Sequence, residues 1–189
     1  MNSIPLRAEL ATQTQTVPVE MRLEVVVLPV TDIDRAKTFY VQLGWRLDID
    51  TASSADFRLI QFTPPGSGCS VIFGEGITDA ASGSVQGLLL VVSDIEAACA
   101  QLLQRGIAVS EPFHDAGGIF HRTGAAGHVP GPNPQRKSYA SFAAFNDPDG
   151  NGWVLQEVTT RLSADLPPGE TAFTEAIANV VRHASSRGR

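Results

Sequence analysis

The feature of the sequence that most constrains its fold is an internal repeat. The segment Val30–Ala36 (VTDIDRA) matches the segment Val92–Ala98 (VSDIEAA) at an offset of 62 residues, and the same offset takes Gly44 to Gly106. In each copy an Asp stands where it caps the N-terminus of a helix, and a Gly stands where the helix ends. Because every matched residue has a local structural role, the repeat predicts two copies of one supersecondary unit.

The first copy contains a strand, a helix and three further strands. An apolar, β-branched run over residues 22–30 predicts a buried strand, and apolar residues at helical spacing from Ile33 to Leu43 predict a helix. The remaining predicted strands are residues 45–49, 57–62 and 69–73. The first copy therefore has the order β-α-β-β-β.

The second copy has the same predicted order. A helix is predicted from Ile95 to Leu103, and a long loop is predicted over residues 111–137. The predicted strands are residues 85–92, 107–109, 139–145 and 153–158. The later strands repeat at a larger offset of 83, which takes Phe62 to Phe145, because the loop of the second copy is longer. Two such units in tandem predict an α+β fold.

The length of 189 residues suits one compact domain. Residues 1–20 lack an apolar period and are predicted to be a flexible tail. Residues 21–160 are predicted to form the domain, with module one over about 21–80 and module two over about 84–160. Residues 161–189 are predicted to be a linker and a C-terminal helix that packs on the domain or on a second subunit.

The composition excludes several classes of partner. The chain has 14 Lys and Arg and 20 Asp and Glu, a net charge of −6 and a pI near 5.1, which argues against nucleic acid or an anionic membrane as a partner. No apolar run is long enough to span a bilayer, and the N-terminus lacks a signal-peptide pattern. Two cysteines are too few for a disulfide framework. We therefore expect a cytoplasmic protein.

The repeat and a second motif together resemble a known family. The second motif is the turn Asp147–Asn151 (DPDGN), which is followed by a predicted strand. Over about residues 22–160 the chain resembles the vicinal oxygen chelate superfamily, which includes glyoxalase I, extradiol dioxygenases and bleomycin-resistance proteins. The resemblance implies two tandem βαβββ modules that form a curved mixed sheet around a cleft. Metal enzymes of the family hold a divalent ion there with His and Glu side chains from four strands.

The family pattern also locates the four expected metal ligands in this chain. One ligand position lies five residues before the valine that precedes each helix cap, which gives Val25 and Gly87. Another lies seven residues after the first Asp of the turn, which gives Val154, and the offset of 83 then gives Val71. None of these side chains has a lone pair to donate. The resemblance therefore predicts loss of the usual metal site, with no metal and no cofactor, and argues against glyoxalase I and extradiol dioxygenase activity.

The strand faces that carry these positions predict the lining of a pocket. Gln156 would supply one hydrogen-bonding amide, and Tyr139 with Ser141 would add hydroxyls. Cys69 has no basic partner in the sequence, so packing is expected of it rather than nucleophilic chemistry. The predicted ligand-binding residues are Val25, Val27, Cys69, Val71, Phe73, Gly87, Leu89, Val154 and Gln156.

Three histidines at equal spacing lie in the long loop of the second copy. They are His114, His121 and His128, and the glycines between them exclude a helix. The loop is either a flexible segment with solvated histidines or a lid over the site. As a lid it would bring His121, whose reference pKa lies near neutrality, and Tyr139 to the cleft as candidate acid–base groups.

Four functional hypotheses follow from these residues. The leading one is a metal-independent protein that binds a small apolar or aromatic organic molecule and sequesters it, as bleomycin-resistance proteins do. The second is an enzyme of isomerase, lyase or dioxygenase type that uses His121 or Tyr139. The third keeps a metal in an altered site with loop histidines. The fourth is a dimerisation module, and a homodimer is compatible with all four.

Overall fold

The computed structural model describes Val19 and residues 21–116 and 127–161. Nearly all of the predicted N-terminal tail, the predicted C-terminal helix and His121 lie outside these residues. The first module contains β1 (Val25–Val27), α1 (Ile33–Gln42), β2 (Arg46–Ser54), β3 (Phe57–Thr63) and β4 (Ser70–Glu75). The second module contains β5 (Leu88–Val92), α2 (Ile95–Gln104), β6 (Phe113–Asp115), β7 (His128–Pro130), β8 (Ser141–Asn146) and β9 (Gly152–Glu157).

The two helices begin and end as the repeat predicts. The Asp32 side chain accepts a hydrogen bond from the backbone N–H of Arg35, and Asp94 accepts from Glu96 and Ala97. These contacts satisfy N–H groups that have no partner inside the helix. Gly44 and Gly106 follow the helices with φ of +78° and +74°, a conformation that favours glycine. The capped helix is therefore a true structural repeat.

The strands form one mixed sheet in each module. The order is β1-β4-β3-β2 in the first sheet and β5-β9-β8-β6-β7 in the second. In each module the first strand runs parallel to the last, while the hairpin strands are antiparallel. The predicted α+β architecture of two βαβββ-type units is thereby confirmed, and the second unit has one strand more than predicted, because β6 and β7 together stand beside β8. Strands β1 and β5 stand at the edges of their sheets, each paired on one side.

One hydrophobic core joins the two modules. Tyr40 of α1 is fully buried, and its hydroxyl donates to Asp147 of the β8–β9 turn at 3.0 Å. Trp45 and Trp153 meet edge to face with ring centroids 5.0 Å apart. Arg35 pairs with Asp149 at 2.9 Å. The helix-facing sides of both sheets therefore bury their apolar residues in a shared interior.

Three local predictions for the second module are wrong. Residues 107–109 form no strand, because Ile107 packs into the core directly after α2 and its N–H bonds to Leu102. The segment predicted as an uninterrupted loop contains the short strands β6 and β7, which pair with each other. Tyr139 precedes β8 rather than beginning it and has a φ of +68°.

Candidate functional site

Each sheet has one face against the shared core and an opposite face, which we call the open face. In the first module, Val26 packs against the core, so its neighbours Val25 and Val27 lie on the open face. Strand register places Val25 beside Ser70 and Val27 beside Ile72. The open face of module one is therefore built from β1 and β4, as the family resemblance implies.

The expectation that Val71 and Phe73 line this face is corrected by the structure. Val71 is 3% exposed and Phe73 is 0% exposed, and both belong to the core. The cause is the length of a turn. The paired residues Phe62 and Val71 are nine residues apart in the sequence, whereas their equivalents, Phe145 and Trp153, are eight apart. The β3–β4 turn is therefore one residue longer than the β8–β9 turn. The structural counterpart of Val154 is therefore Ile72, one residue beyond the predicted position.

The predicted positions in module two do share the open face. Leu89 pairs with Val154, and Leu89 is 51% exposed while Val154 is 8% exposed. Gly87 precedes β5 on the same face, and Gln156 lies two residues beyond Val154 in β9. These four residues form a largely apolar surface with one amide at its end.

The side chains at the four expected ligand positions do not fit a divalent metal. With the corrected register these positions hold Val25, Ile72, Gly87 and Val154. Divalent metals in proteins need several nitrogen, oxygen or sulfur ligands. Within residues 21–116 and 127–161, no group of three or more His, Cys, Asp or Glu side chains is arranged to hold an ion. The side chains at these positions are apolar instead.

A hydrogen-bonded polar strip crosses the open face of module one. The Thr63 hydroxyl donates to Asp48, and Thr63 and Ser70 lie 2.8 Å apart through their hydroxyl oxygens. Because the Thr63 proton is used on Asp48, Ser70 donates to Thr63, and the Gln61 amide donates to Ser70 at 3.3 Å. Hydrogen bonds from Arg46 and Thr63 lower the pKa of Asp48 and keep it ionised. The strip therefore presents hydroxyl and amide groups in a fixed orientation.

Sequence reasoning missed this strip and the role of Ile72. The signal was present in β3, where Gln61 and Thr63 alternate with the core residues Ile60 and Phe62. That alternation marks one polar face opposite one apolar face. The hydrogen-bond partner of β3 on β4, Ser70, follows only from the register of the hairpin.

The remaining predicted site residues have mainly structural contacts. Burial and the nearby Glu24 carboxylate raise the pKa of the Cys69 thiol, so the environment does not favour the reactive thiolate. The Gln156 amide donates to the backbone oxygen of Tyr139 at 3.0 Å. This bond orients the amide on the open face and holds the segment that carries Tyr139.

Two of the three loop histidines lie on the hairpin of β6 and β7. The ring of His114 bonds through Nδ1 to the backbone oxygen of Gly131 at 2.9 Å. The ring of His128 stacks on Phe113, with centroids 4.1 Å apart. The acid–base role considered for His121 lies outside the described residues and stays a prediction.

Two βαβββ-type modules that share one core, each with an open face on its own sheet, define a protein of glyoxalase-like architecture. The chain belongs to the Glyoxalase/Bleomycin resistance protein/Dioxygenase superfamily, whose family model matches residues 22–155. This membership confirms the resemblance that the repeat and the turn indicated. Family membership does not identify the reaction or the ligand, because one fold can carry many functions.

Solved structures of similar chains agree with this membership. TnmS3, an antibiotic-binding protein from Streptomyces sp. CB03234, is 29% identical with a TM-score of 0.54, over 75% of this chain and 99% of that chain. A glyoxalase/bleomycin resistance protein from the same organism is 30% identical with a TM-score of 0.51, over 72% and 100%. A superfamily member from Sphaerobacter thermophilus, 24% identical with a TM-score of 0.54 over 73% and 98%, shares the fold.

Two further findings concern curated sequences and membrane-spanning helices. No curated protein sequence matches this chain. In the described part of the chain, no helix has the length and the apolar character needed to cross a membrane.

Proposed function

We propose that this protein binds a small, largely apolar or aromatic organic molecule without a metal ion. The observation that carries this proposal is the chemistry of the four positions Val25, Ile72, Gly87 and Val154, which offer apolar surface and no metal ligand. The likeness to TnmS3, which binds an antibiotic, supports the same class of ligand. Binding would sequester the compound rather than transform it.

The binding site is completed by a second copy of the chain. Within one chain, each open face lies across its own sheet from the shared core, so the two faces do not line one pocket. Strands β1 and β5 each have one unpaired edge, and such edges favour pairing with another strand. Pairing of β1 from one protomer with β5 from its partner would join the two open faces into one curved surface. The exposed side chains of Val27, Leu89 and Val91 would be covered in this homodimer.

The two open faces would contribute different contacts to the ligand. Leu89, Val91 and Val154 of module two would pack on its apolar body. Gln61 and Ser70 of module one would hydrogen-bond to its polar groups at fixed positions. A ligand with an aromatic body and a few hydroxyl or carbonyl groups matches this division.

The experiment that tests the proposal is a thermal-shift screen of aromatic antibiotics with the full-length protein. We expect at least one compound to raise Tm in a concentration-dependent manner, because a ligand that binds only the native state stabilises it. The substitution Val154→Asp should abolish the shift, since it buries a carboxylate against the apolar part of the ligand. The matched control Val41→Asp, at an exposed position on α1, should retain it.

Metal content and assembly supply independent tests of the same proposal. Inductively coupled plasma mass spectrometry of freshly purified protein should give far less than one metal ion per chain. Sedimentation should give a dimer that Leu89→Asp dissociates. A full equivalent of Fe, Zn, Mn or Ni, or a monomer that still binds the compound, contradicts the proposal.

A further inference from the structure

We propose that a second pocket, between the two modules, binds a small aromatic carboxylate with a single ring. The pocket has a volume of about 200 Å³ and lies between α2, β5 and the β3–β4 turn. It is lined by Leu90 and Leu155, which pack on the core side of β5 and β9. Leu89 and Val154 lie on the opposite side of the same strands, so the interior of this pocket is separate from the open faces. Of the open-face residues named above, Val91 also borders the pocket. Binding in the interior does not depend on the function proposed for the open faces.

The interior of the pocket is apolar and firmly held. Three of its lining side chains, those of Leu43, Trp45 and Phe145, are buried. The indole of Trp45 is fixed by its edge-to-face contact with Trp153. An apolar cavity of about 150 Å³ is large enough to bind benzene in another protein. The pocket therefore has room for one six-membered ring.

The rim of the pocket carries a cation that is held in place. Arg105 caps the C-terminus of α2, and its Nη1 donates to the backbone oxygen of Gln42 at the end of α1, at 3.4 Å. The Gln42 amide donates in return to the backbone oxygen of Arg105. The guanidinium lies over Gly44, where a Cβ atom would come within 1.7 Å of Nη1. A glycine at this position thus leaves the space that the guanidinium occupies.

The guanidinium of Arg105 retains hydrogen-bonding capacity for a ligand. It has five N–H donors, and among the described residues it bonds only to that one carbonyl oxygen and pairs with no carboxylate. Gln101 lies one helical turn earlier on the same rim and adds an amide.

The guanidinium at the rim and the apolar interior together determine which chemical class of ligand fits the pocket. A guanidinium binds a planar carboxylate through two parallel hydrogen bonds, and the apolar interior takes the ring. Among the described residues that line the pocket, Arg105 is the one charged residue. A singly charged carboxylate is therefore matched in charge, whereas a doubly charged phosphate would need a second cation.

The test uses the full-length, ¹⁵N-labelled protein and two probes of equal shape, sodium benzoate and neutral benzamide. We expect saturable shifts of the Trp45 indole N–H, and benzoate binding at least about tenfold tighter than benzamide binding. Arg105→Gln should reduce the affinity for benzoate to that for benzamide and leave benzamide binding unchanged. The matched control Arg161→Gln, an exposed arginine outside the pocket, should change neither affinity.

A second variant tests the location of the ring. Ala98 lines the pocket from α2, so Ala98→Leu should fill it and remove binding of both probes. The proposal is overturned if neither probe shifts Trp45, if Arg105→Gln binds benzoate as tightly as the original protein, or if the shifts fall on Leu89 and Val154 instead.

Discussion

The open faces of module one and module two differ at equivalent positions, although the two sheets share one plan. Structural register aligns Gln61 with Ala144, Ser70 with Gly152, and Gly74 with Gln156. Thr63 corresponds to Asn146, which is exposed on the open face of module two. Module one thus carries a hydrogen-bonded strip of polar groups near the β3–β4 turn, whereas module two carries two separate amides, Asn146 at its turn and Gln156 at the far end of its strand. The open face of module one is therefore the more polar of the two.

In the proposed function, this difference would allow the two faces to recognise a ligand without a metal ion. In a metal enzyme of this fold, both modules contribute the same kind of ligand to one ion. In the proposed site, hydrogen bonds would come mainly from module one and apolar contact mainly from module two. Specificity would then rest on buried polar groups that a wrong ligand leaves unpaired.

The largest expected effect is a difference in unfolding free energy between substitutions on the core face and on the open face of β4. Phe73→Ala should lower the free energy of unfolding by about 3–5 kcal/mol, because it removes a fully buried ring that packs on Tyr40 and Phe62. Ile72→Ala, on the open face, should cost about 1 kcal/mol. Urea denaturation measures both. Equal losses would contradict the corrected register.

The next largest effect is a difference in unfolding free energy between substitutions of two equivalent glutamates. Glu157 is 0% exposed and accepts hydrogen bonds from Arg136 and from the backbone N–H of Ile95, whereas its module-one counterpart Glu75 is exposed. Glu157→Ala should cost about 2 kcal/mol of unfolding free energy, because it leaves the buried Ile95 N–H without its acceptor and removes one of the carboxylates that Arg136 pairs with, although Arg136 keeps Glu96.

The control for this prediction is Glu75→Ala, which should change the free energy of unfolding by no more than about 0.5 kcal/mol. The same urea titration serves for both variants. If the two substitutions cost the same, the buried carboxylate does not hold the start of α2 to the segment before β8.

The smallest effect concerns acid stability in module one. Hydrogen bonds from Arg58 and Lys37 lower the pKa of Asp50 from 3.8 to about 2. Above about pH 5 the carboxylate is ionised in both states and its stabilisation is complete. As the pH falls from about 5 to about 2, the unfolded chain takes up the proton first, so this contribution is lost.

The variant Asp50→Asn should therefore flatten the decline of unfolding free energy over this pH range. Urea titrations at several pH values measure the slope. Since the group is near the surface, the change should be small and should diminish at high salt. An unchanged slope at low salt would show that other carboxylates govern acid unfolding.

The sequence predicted the repeat, both capped helices and the family, because each depends on local chemistry at fixed spacing. Asp32 and Asp94 stabilise a helix start wherever they occur, and Gly44 and Gly106 end one. Open-face residues on β5 and β9 followed from the same alignment.

The register of β4 could not be predicted in this way. Val71, Ile72 and Phe73 are all apolar, so their pattern does not say which side faces the core. The extra residue in the β3–β4 turn appears only in the strand pairing. Strands β6 and β7 were missed because each has three residues and no apolar alternation.

The central claim is that the open faces bind an organic ligand without a metal ion. Its most direct test is equilibrium binding of the tightest compound from the antibiotic screen, measured in excess EDTA and again with added divalent metal. The account predicts the same dissociation constant in both conditions and at least about tenfold weaker binding by Val154→Asp. Binding that disappears in EDTA and returns with metal would contradict it.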